Sequence, residues 1–279
     1  MSLIRGRLRR IGAISALEVV AVPGGEGPIA AQWLANGGGA RYSTAGEGHA
    51  HEAPAWRAAG FRRRLSGGKQ DMQQLDWYFD FISPYAYLGL MRLGELPDVA
   101  ITYRPVLFAG LLNHWEQKGP AEIPPKRAWT YRSCTWTASR QGIRFRFPAA
   151  HPFNSLPYLR LAIAAGSTAD AVHRIFEALW TTAADPADPS LIVELARSLA
   201  VDPADVSRQQ FKDTLRSATE QAIARGVFGV PTLDVGGELF WGADATDFAR
   251  AYLADPAILT TAEMQRVAKL PIGVSRIPV

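Results

Sequence analysis

The stretch LDWYFDFISPYAYL, Leu75 to Leu88, constrains the fold more than any other part of this chain. Its opening, LDWYFDF, is aromatic and β-prone enough for a buried strand. Ser83-Pro84 then imposes a corner, because a proline fits the first turn of a helix, where its missing N–H is not needed. The helix YAYLGLMRLGEL is expected to run to near Pro97, and AITYRPVLF supplies a second strand after a short connection. A strand, a helical crossover and a strand make a parallel pair.

A long middle carries helical patterns at Pro124 to Gln141, Leu156 to Ala165, Ala169 to Thr181, Ser190 to Leu199 and Asp205 to Arg225. Asp-Pro pairs at Asp185, Asp188 and Asp202 punctuate it. GVPTLDVGGELFWG then reads as two short strands joined through Gly236-Gly237, a two-residue hairpin signal. A last helix is expected from Asp244 to Leu253, closing the ordered part. The order βαβ, helices, ββα is an α/β, thioredoxin-like layout over residues 72–279, split by a helical insertion at about residues 108–205.

Residues 1–71 follow no such pattern. They hold 13 of the 25 glycines and 10 Lys+Arg against 5 Asp+Glu, which leaves 20 and 21 for residues 72–279. The formal charge of +4 therefore belongs to the front of the chain, and nothing in the patterned part points to nucleic acid. Apolar residues in the front segment keep no sustained period, so it reads as a disordered or mis-assigned N-terminal extension, with ordered patterning beginning at Met72. The competing reading is a targeting peptide: Arg5, Arg7, Arg9 and Arg10 precede IGAISALEVVAV, but Glu18 interrupts that run and no clear cleavage site follows. No stretch has the apolar length of a membrane span. The single cysteine, Cys134, excludes an internal disulfide and fits a cytoplasmic location.

Two places carry chemical weight on their own residues. Ser83 stands where free N–H groups at the start of a helix favour an anion, such as a thiolate, although serine there also reads as a plain helix cap. Val230-Pro231 stands directly before the hairpin strand. Proline at a strand start is ordinary punctuation, but a cis bond there would turn the Val230 N–H and C=O outward, where an extended peptide pairs with them. In the layout above this loop lies beside the N-terminus of the first helix, so that Ser83 and Val230 flank one groove.

DFISPYAYL, GVFGVPT and LFWGADATDF, in this order, resemble the 2-hydroxychromene-2-carboxylate isomerases and their relatives, the kappa-class glutathione transferases, within the DsbA-like thioredoxin superfamily. The resemblance spans roughly residues 75–254. It implies that Ser83 takes the place of the first cysteine of a Cys-x-x-Cys pair, and Ser83-Pro84-Tyr85-Ala86 contains no thiol. The sulfur must then come from glutathione, as cofactor, with Ser83 as the catalytic residue that donates a hydrogen bond to its thiolate. The implied activity is a glutathione-dependent isomerisation of an aromatic-ring catabolite. The thiolate adds to an unsaturated carbon, the adduct rotates about the former double bond, and glutathione leaves unchanged. A kappa-like transferase and a non-catalytic thioredoxin-fold binding protein are the alternatives. Family likeness also implies a homodimer.

By the same resemblance, Val230, Pro231 and Asp244 bind glutathione, Asp244 through the γ-glutamyl ammonium; by itself Asp244 also reads as an acid in a first helical turn. Ala243 and Ala245 depart from the family's polar residue and arginine. The stretch from Leu111 to Arg127 corresponds to a loop that carries an asparagine and a lysine near glutathione, with Asn113, Lys118 and Lys126 as candidates; Asn113 and Lys126 are taken as the site residues. His114 and His151 lack neighbours at metal-ligand spacing, so no metal is expected. Cys134 reads as a buried apolar residue. RFRFP, Arg144 to Pro148, reads as a solvated edge or as a face toward an acidic aromatic substrate.

Overall fold

The computed structural model describes residues 72–273; the expectations about residues 1–71 lie outside the described residues. Strand β1 (Gln73–Phe79) leads through the corner into α1 (Pro84–Leu90) and on to β2 (Val99–Pro105). Five helices follow: α2 (Phe108–His114), α3 (Pro124–Gln141), α4 (Leu156–Ala164), α5 (Ala169–Thr181) and α6 (Pro189–Ser198). The chain returns through α7 (Gln209–Ala224) to the hairpin β3 (Thr232–Val235) and β4 (Glu238–Trp241), then to α8 (Thr246–Ala254) and α9 (Ala262–Val267). The sheet order is β2-β1-β3-β4. β1 runs parallel to β2 and antiparallel to β3, as the expected layout requires.

Both faces of β1 are covered, which is why its sequence is a nearly unbroken aromatic run. Trp77 and Phe79 belong to the larger core with Phe81, Tyr87, Phe176 and Trp180, while Tyr78 joins a second cluster with Val106, Leu111, Ala222, Val227 and Val230. Burying a side chain of this kind contributes about 1.5–3 kcal/mol, so these rings anchor the end of β1 from which the corner departs. The hairpin turn falls where Gly236 and Gly237 adopt φ of 59° and 108°, values that a side chain would strain.

Several boundaries differ from the sequence expectation. α1 ends at Leu90 instead of continuing toward Pro97; a short 3-10 turn at Leu93–Glu95 replaces its second half. Gly89 and Gly94 weaken a helix, and the change of direction buries Leu93 and Leu96 in the core. The stretch after β2, expected as a connection, begins with α2. Gly110 lets that helix sit close to α7, since a Cβ there would lie 3.1 Å from Thr219 Cγ2. The helix expected from Asp205 divides into a 3-10 turn at Pro203–Ser207 and α7, and the last helix expected from Asp244 likewise divides into a turn at Ala243–Ala245 and α8. α9 extends the ordered chain past the expected end. No helix of the described residues is long and apolar enough to cross a membrane.

Candidate active site

The corner after β1 is held by a separate partner at each residue. Val106 N–H donates to the Phe79 carbonyl (3.0 Å) and Ser83 N–H to the Asp80 carbonyl (3.0 Å). Trp180 Nε1–H donates to the Phe81 carbonyl at 2.9 Å. His151 Nε2 reaches the Ile82 carbonyl at 2.8 Å. The Ser83 carbonyl then accepts from Ala86 and Tyr87 as α1 begins. A turn with every carbonyl engaged has little freedom, so the side chain of Ser83 projects from a fixed backbone.

Ser83 is buried and caps α1: its φ of −90° and ψ of 116° are extended, and Oγ accepts from Ala86 N–H at 3.2 Å. The hydroxyl proton has one direction left, toward the Val230 carbonyl at 3.4 Å. The groove expected between Ser83 and Val230 is thus a direct contact. The Val230-Pro231 bond is cis. Pro231 in turn accepts from Gly242 N–H at 2.9 Å, which joins the loop to the turn carrying Asp244. That assembly packs on α1 at Gly89, where a Cβ would lie 3.2 Å from Pro231 Cγ and 3.7 Å from the Ala243 Cα.

Asp244 is exposed, and its carboxylate folds back over Gly242, whose φ is 106° and whose missing Cβ would lie 2.5 Å from Oδ1. It also lies near enough to the Tyr85 hydroxyl, in the first turn of α1, to help raise that group's pKa, after burial and the nearby Cys134. Ser83 and Val230 are therefore in contact at the start of α1, and Pro231 and the turn carrying Asp244 pack along the same helix. Asn113 and Lys126 are both exposed, and among the described residues neither is hydrogen-bonded to the corner or to the Val230 loop. Two residues after Asn113, Trp115 Nε1–H donates to the Val227 carbonyl at 3.0 Å. Lys118 is exposed as well.

The side chains that build the corner were missed by sequence reasoning. Asp80 is 1% exposed. Its Oδ1 accepts from Ile82 N–H at 3.1 Å and its Oδ2 from Phe108 N–H at 2.9 Å, and the nearby Ser155 hydroxyl favours its ionised form. Burial pushes its carboxyl up to about 6 in spite of these donors. The signal was an acid inside a buried aromatic run. His151 sits among Tyr131, Phe147, Phe153 and Trp180. Since a carbonyl only accepts, Nε2 carries the proton, and Nδ1 accepts from Tyr131 OH at 2.7 Å. Burial lowers its pKa, in keeping with a neutral ring. No local pattern announces this role.

Cys134 is fully buried against Leu88 and Ala138, and burial pushes its thiol up to about 12, too high for a nucleophile. Within RFRFP, Phe145 and Phe147 pack toward the core, and the exposed Arg144 pairs with Glu177 at 3.4 Å.

Comparison with known proteins agrees with this geometry. Residues 74–254 match the family model described as a DSBA-like thioredoxin domain. The chain is 31% identical over 192 residues to a 2-hydroxychromene-2-carboxylate isomerase of Sphingobium xenophagum, covering 65% of this chain and 98% of that one. It is 26% identical over 205 residues to glutathione S-transferase kappa 2 of Caenorhabditis elegans, covering 64% and 91%. Among solved structures, a 2-hydroxychromene-2-carboxylate isomerase superposes with a TM-score of 0.60 at 26% identity, covering 68% of this chain and 98% of the other. With a matching fold, a serine at the corner and relatives matched over nearly their full length, the chain belongs to the DsbA-like thioredoxin family, on the branch of the 2-hydroxychromene-2-carboxylate isomerases.

Proposed function

We propose that this protein is a glutathione-dependent isomerase of an aromatic-ring catabolite, of the 2-hydroxychromene-2-carboxylate type, with Ser83 as its catalytic residue. The observation that carries the reading is the contact between Ser83 Oγ and the Val230 carbonyl, at the start of a helix whose first turn contains no thiol. Glutathione supplies the thiolate that adds reversibly to the substrate and leaves unchanged.

The residues present fit that group. Val230 offers a backbone carbonyl suited to a peptide N–H. Once that carbonyl has such a donor, the Ser83 proton is released from a long bond and turns to a sulfur anion. The first-turn N–H groups of α1 add to this locally; seven residues sum only a short row of peptide dipoles, so the hydroxyl carries more of the effect. Asp244 supplies a carboxylate for an ammonium, and Asn113 and Lys126 supply further exposed polar groups. Ala243 and Ala245 add no polar side chain at this end, which places the recognition of the ammonium on Asp244 alone. Keeping nucleophile and substrate together at the corner supplies much of the acceleration.

A homodimer is proposed from the kinship alone, and a cytoplasmic location from the need for reduced glutathione together with the single cysteine. The test is turnover of hydroxychromene carboxylates by the glutathione-loaded protein, run beside a generic electrophile. Isomerisation without net consumption of glutathione supports the reading; conjugation only would make the protein a transferase, as its kinship to the kappa enzymes allows.

A further inference from the structure

The corner contains a charged group that the proposed chemistry does not use. Asp80 Oδ1 accepts from Ile82 N–H in the corner, and Oδ2 accepts from Phe108 N–H, the first residue of α2. The Ser155 hydroxyl, at the cap of α4, lies near enough to favour its ionised form. One carboxylate thus ties the residue before Ser83 to the start of α2. Asparagine could not do the same, because its single carbonyl oxygen would serve one amide while its NH2 group faced the other.

The groups facing Asp80 are the two amides and the Ser155 hydroxyl. No cation acts on it, and His151, the titratable side chain that supports the corner, is spent on the Ile82 carbonyl. A buried carboxylate without a counter-charge costs stability when ionised, and burial indeed raises its pKa to about 6. Such a charge is not explained as a stabiliser of the fold. It is explained by what it holds in place.

We infer that Asp80 is a positioning residue for the chemistry at Ser83: its ionised carboxylate clamps the Ile82 and Phe108 amides together, and so fixes Ser83 relative to α2. This rests on the glutathione reading above. Protonation removes acceptor capacity and loosens the clamp, so turnover should follow the ionisation of Asp80 as well as that of the bound thiol.

The test measures two things on the full chain. Amide chemical shifts of Ile82 and Phe108 are followed against pH, and kcat is followed against pH after correction for the thiolate fraction read by ultraviolet absorbance. In the wild type both amides should titrate with one midpoint near 6, and the corrected kcat should share that midpoint. Asp80→Asn should abolish the amide titration and lower kcat by about ten- to a hundredfold, the scale of a small misplacement of reacting groups.

Ser155→Ala is the milder variant, should Asp80→Asn fail to fold. It removes a neighbouring hydroxyl that favours the ionised form of Asp80, so it should move the amide midpoint and the corrected kcat midpoint upward together. A kcat profile that stays still while the amides move, or full kcat in Asp80→Asn, overturns the inference and leaves the glutathione reading intact. A wild type that does not bind glutathione overturns both.

Discussion

The Ser83 hydroxyl lies 3.4 Å from the Val230 carbonyl, joining two residues that are 147 apart in the chain. At that length the bond is weak, and the same oxygen accepts from Ala86 N–H at 3.2 Å. A buried hydroxyl held only by long bonds can be redirected at little cost. The arrangement therefore suits a donor that changes partner when a thiolate arrives.

The first prediction concerns stability and pH. Burial raises the Asp80 carboxyl from about 3.8 in the free side chain to about 6, so the folded state holds this proton more tightly than the unfolded chain. Its contribution is fully present below about 3.8 and is lost as pH rises through about 6. Between pH 8 and pH 5 the melting temperature of the wild type should rise relative to Asp80→Asn. The full effect is on the order of 3 kcal/mol, about 1.4 kcal/mol for each pKa unit. The difference between the two proteins is the quantity to read, because His151, with its lowered pKa, acts in the opposite direction on both as pH falls. Parallel stability curves would mean that Asp80 does not titrate in this range.

The second prediction concerns the support behind Ile82. His151→Phe keeps a ring among the surrounding aromatics but leaves the Ile82 carbonyl without its partner, while Tyr131 OH keeps only the backbone carbonyl of position 151, at 2.7 Å. Losing a buried partner costs about 1–3 kcal/mol, so denaturant midpoints should fall accordingly. Tyr131→Phe should cost less, about 0.5–1.5 kcal/mol, and the double variant less than the sum. Full additivity would show that the two side chains do not act as one chain of bonds.

The third prediction concerns the proposed boundary at Met72. β1 begins at Gln73, the family match begins at residue 74, and every strand of the described sheet lies beyond them. A chain starting at Met72 is expected to keep the melting temperature and glutathione affinity of the full chain. A large loss of either, by calorimetry, would place residues 1–71 within the folded unit.

What could be read from the sequence divides along physical lines. The strand, corner and helix at Leu75 to Leu88 were legible because periodicity and proline geometry are local. So was the hairpin at Gly236-Gly237, where the turn type demands the residues. Helix α2 was missed because seven residues interrupted by Gly110 carry too little pattern, and its place is decided by contact with Thr219. At the site, Ser83 and Val230 were legible because backbone chemistry singles them out. Asp80 and His151 were not: their roles are set by Phe108, 28 residues away, and by Ile82, 69 residues away, and no local rule links those positions. Asn113 and Lys126 were named through family likeness, and both are exposed.

The last prediction separates the two ends of the proposed glutathione site. Ser83 acts on the sulfur, whose charge changes during reaction, whereas Asp244 acts on a remote ammonium that is the same before and during it. An interaction made with the reacting group lowers kcat when removed, while uniform binding mainly raises the apparent KM. Ser83→Ala should raise the bound thiol's pKa and cut turnover by about ten- to a thousandfold, the range for losing one donor to a developing anion. It should also cost about 1 kcal/mol of stability, as a lost helix cap. Asp244→Ala should leave the thiol pKa unchanged. Because Asp244 is exposed, its loss should weaken glutathione binding by only roughly 0.5–1 kcal/mol, a few-fold in KM. Thiolate absorbance against pH and glutathione saturation curves on both variants measure these quantities. A Ser83→Ala protein that loses the cap energy yet keeps the thiol pKa and turnover would reduce Ser83 to a helix cap and remove it from the chemistry.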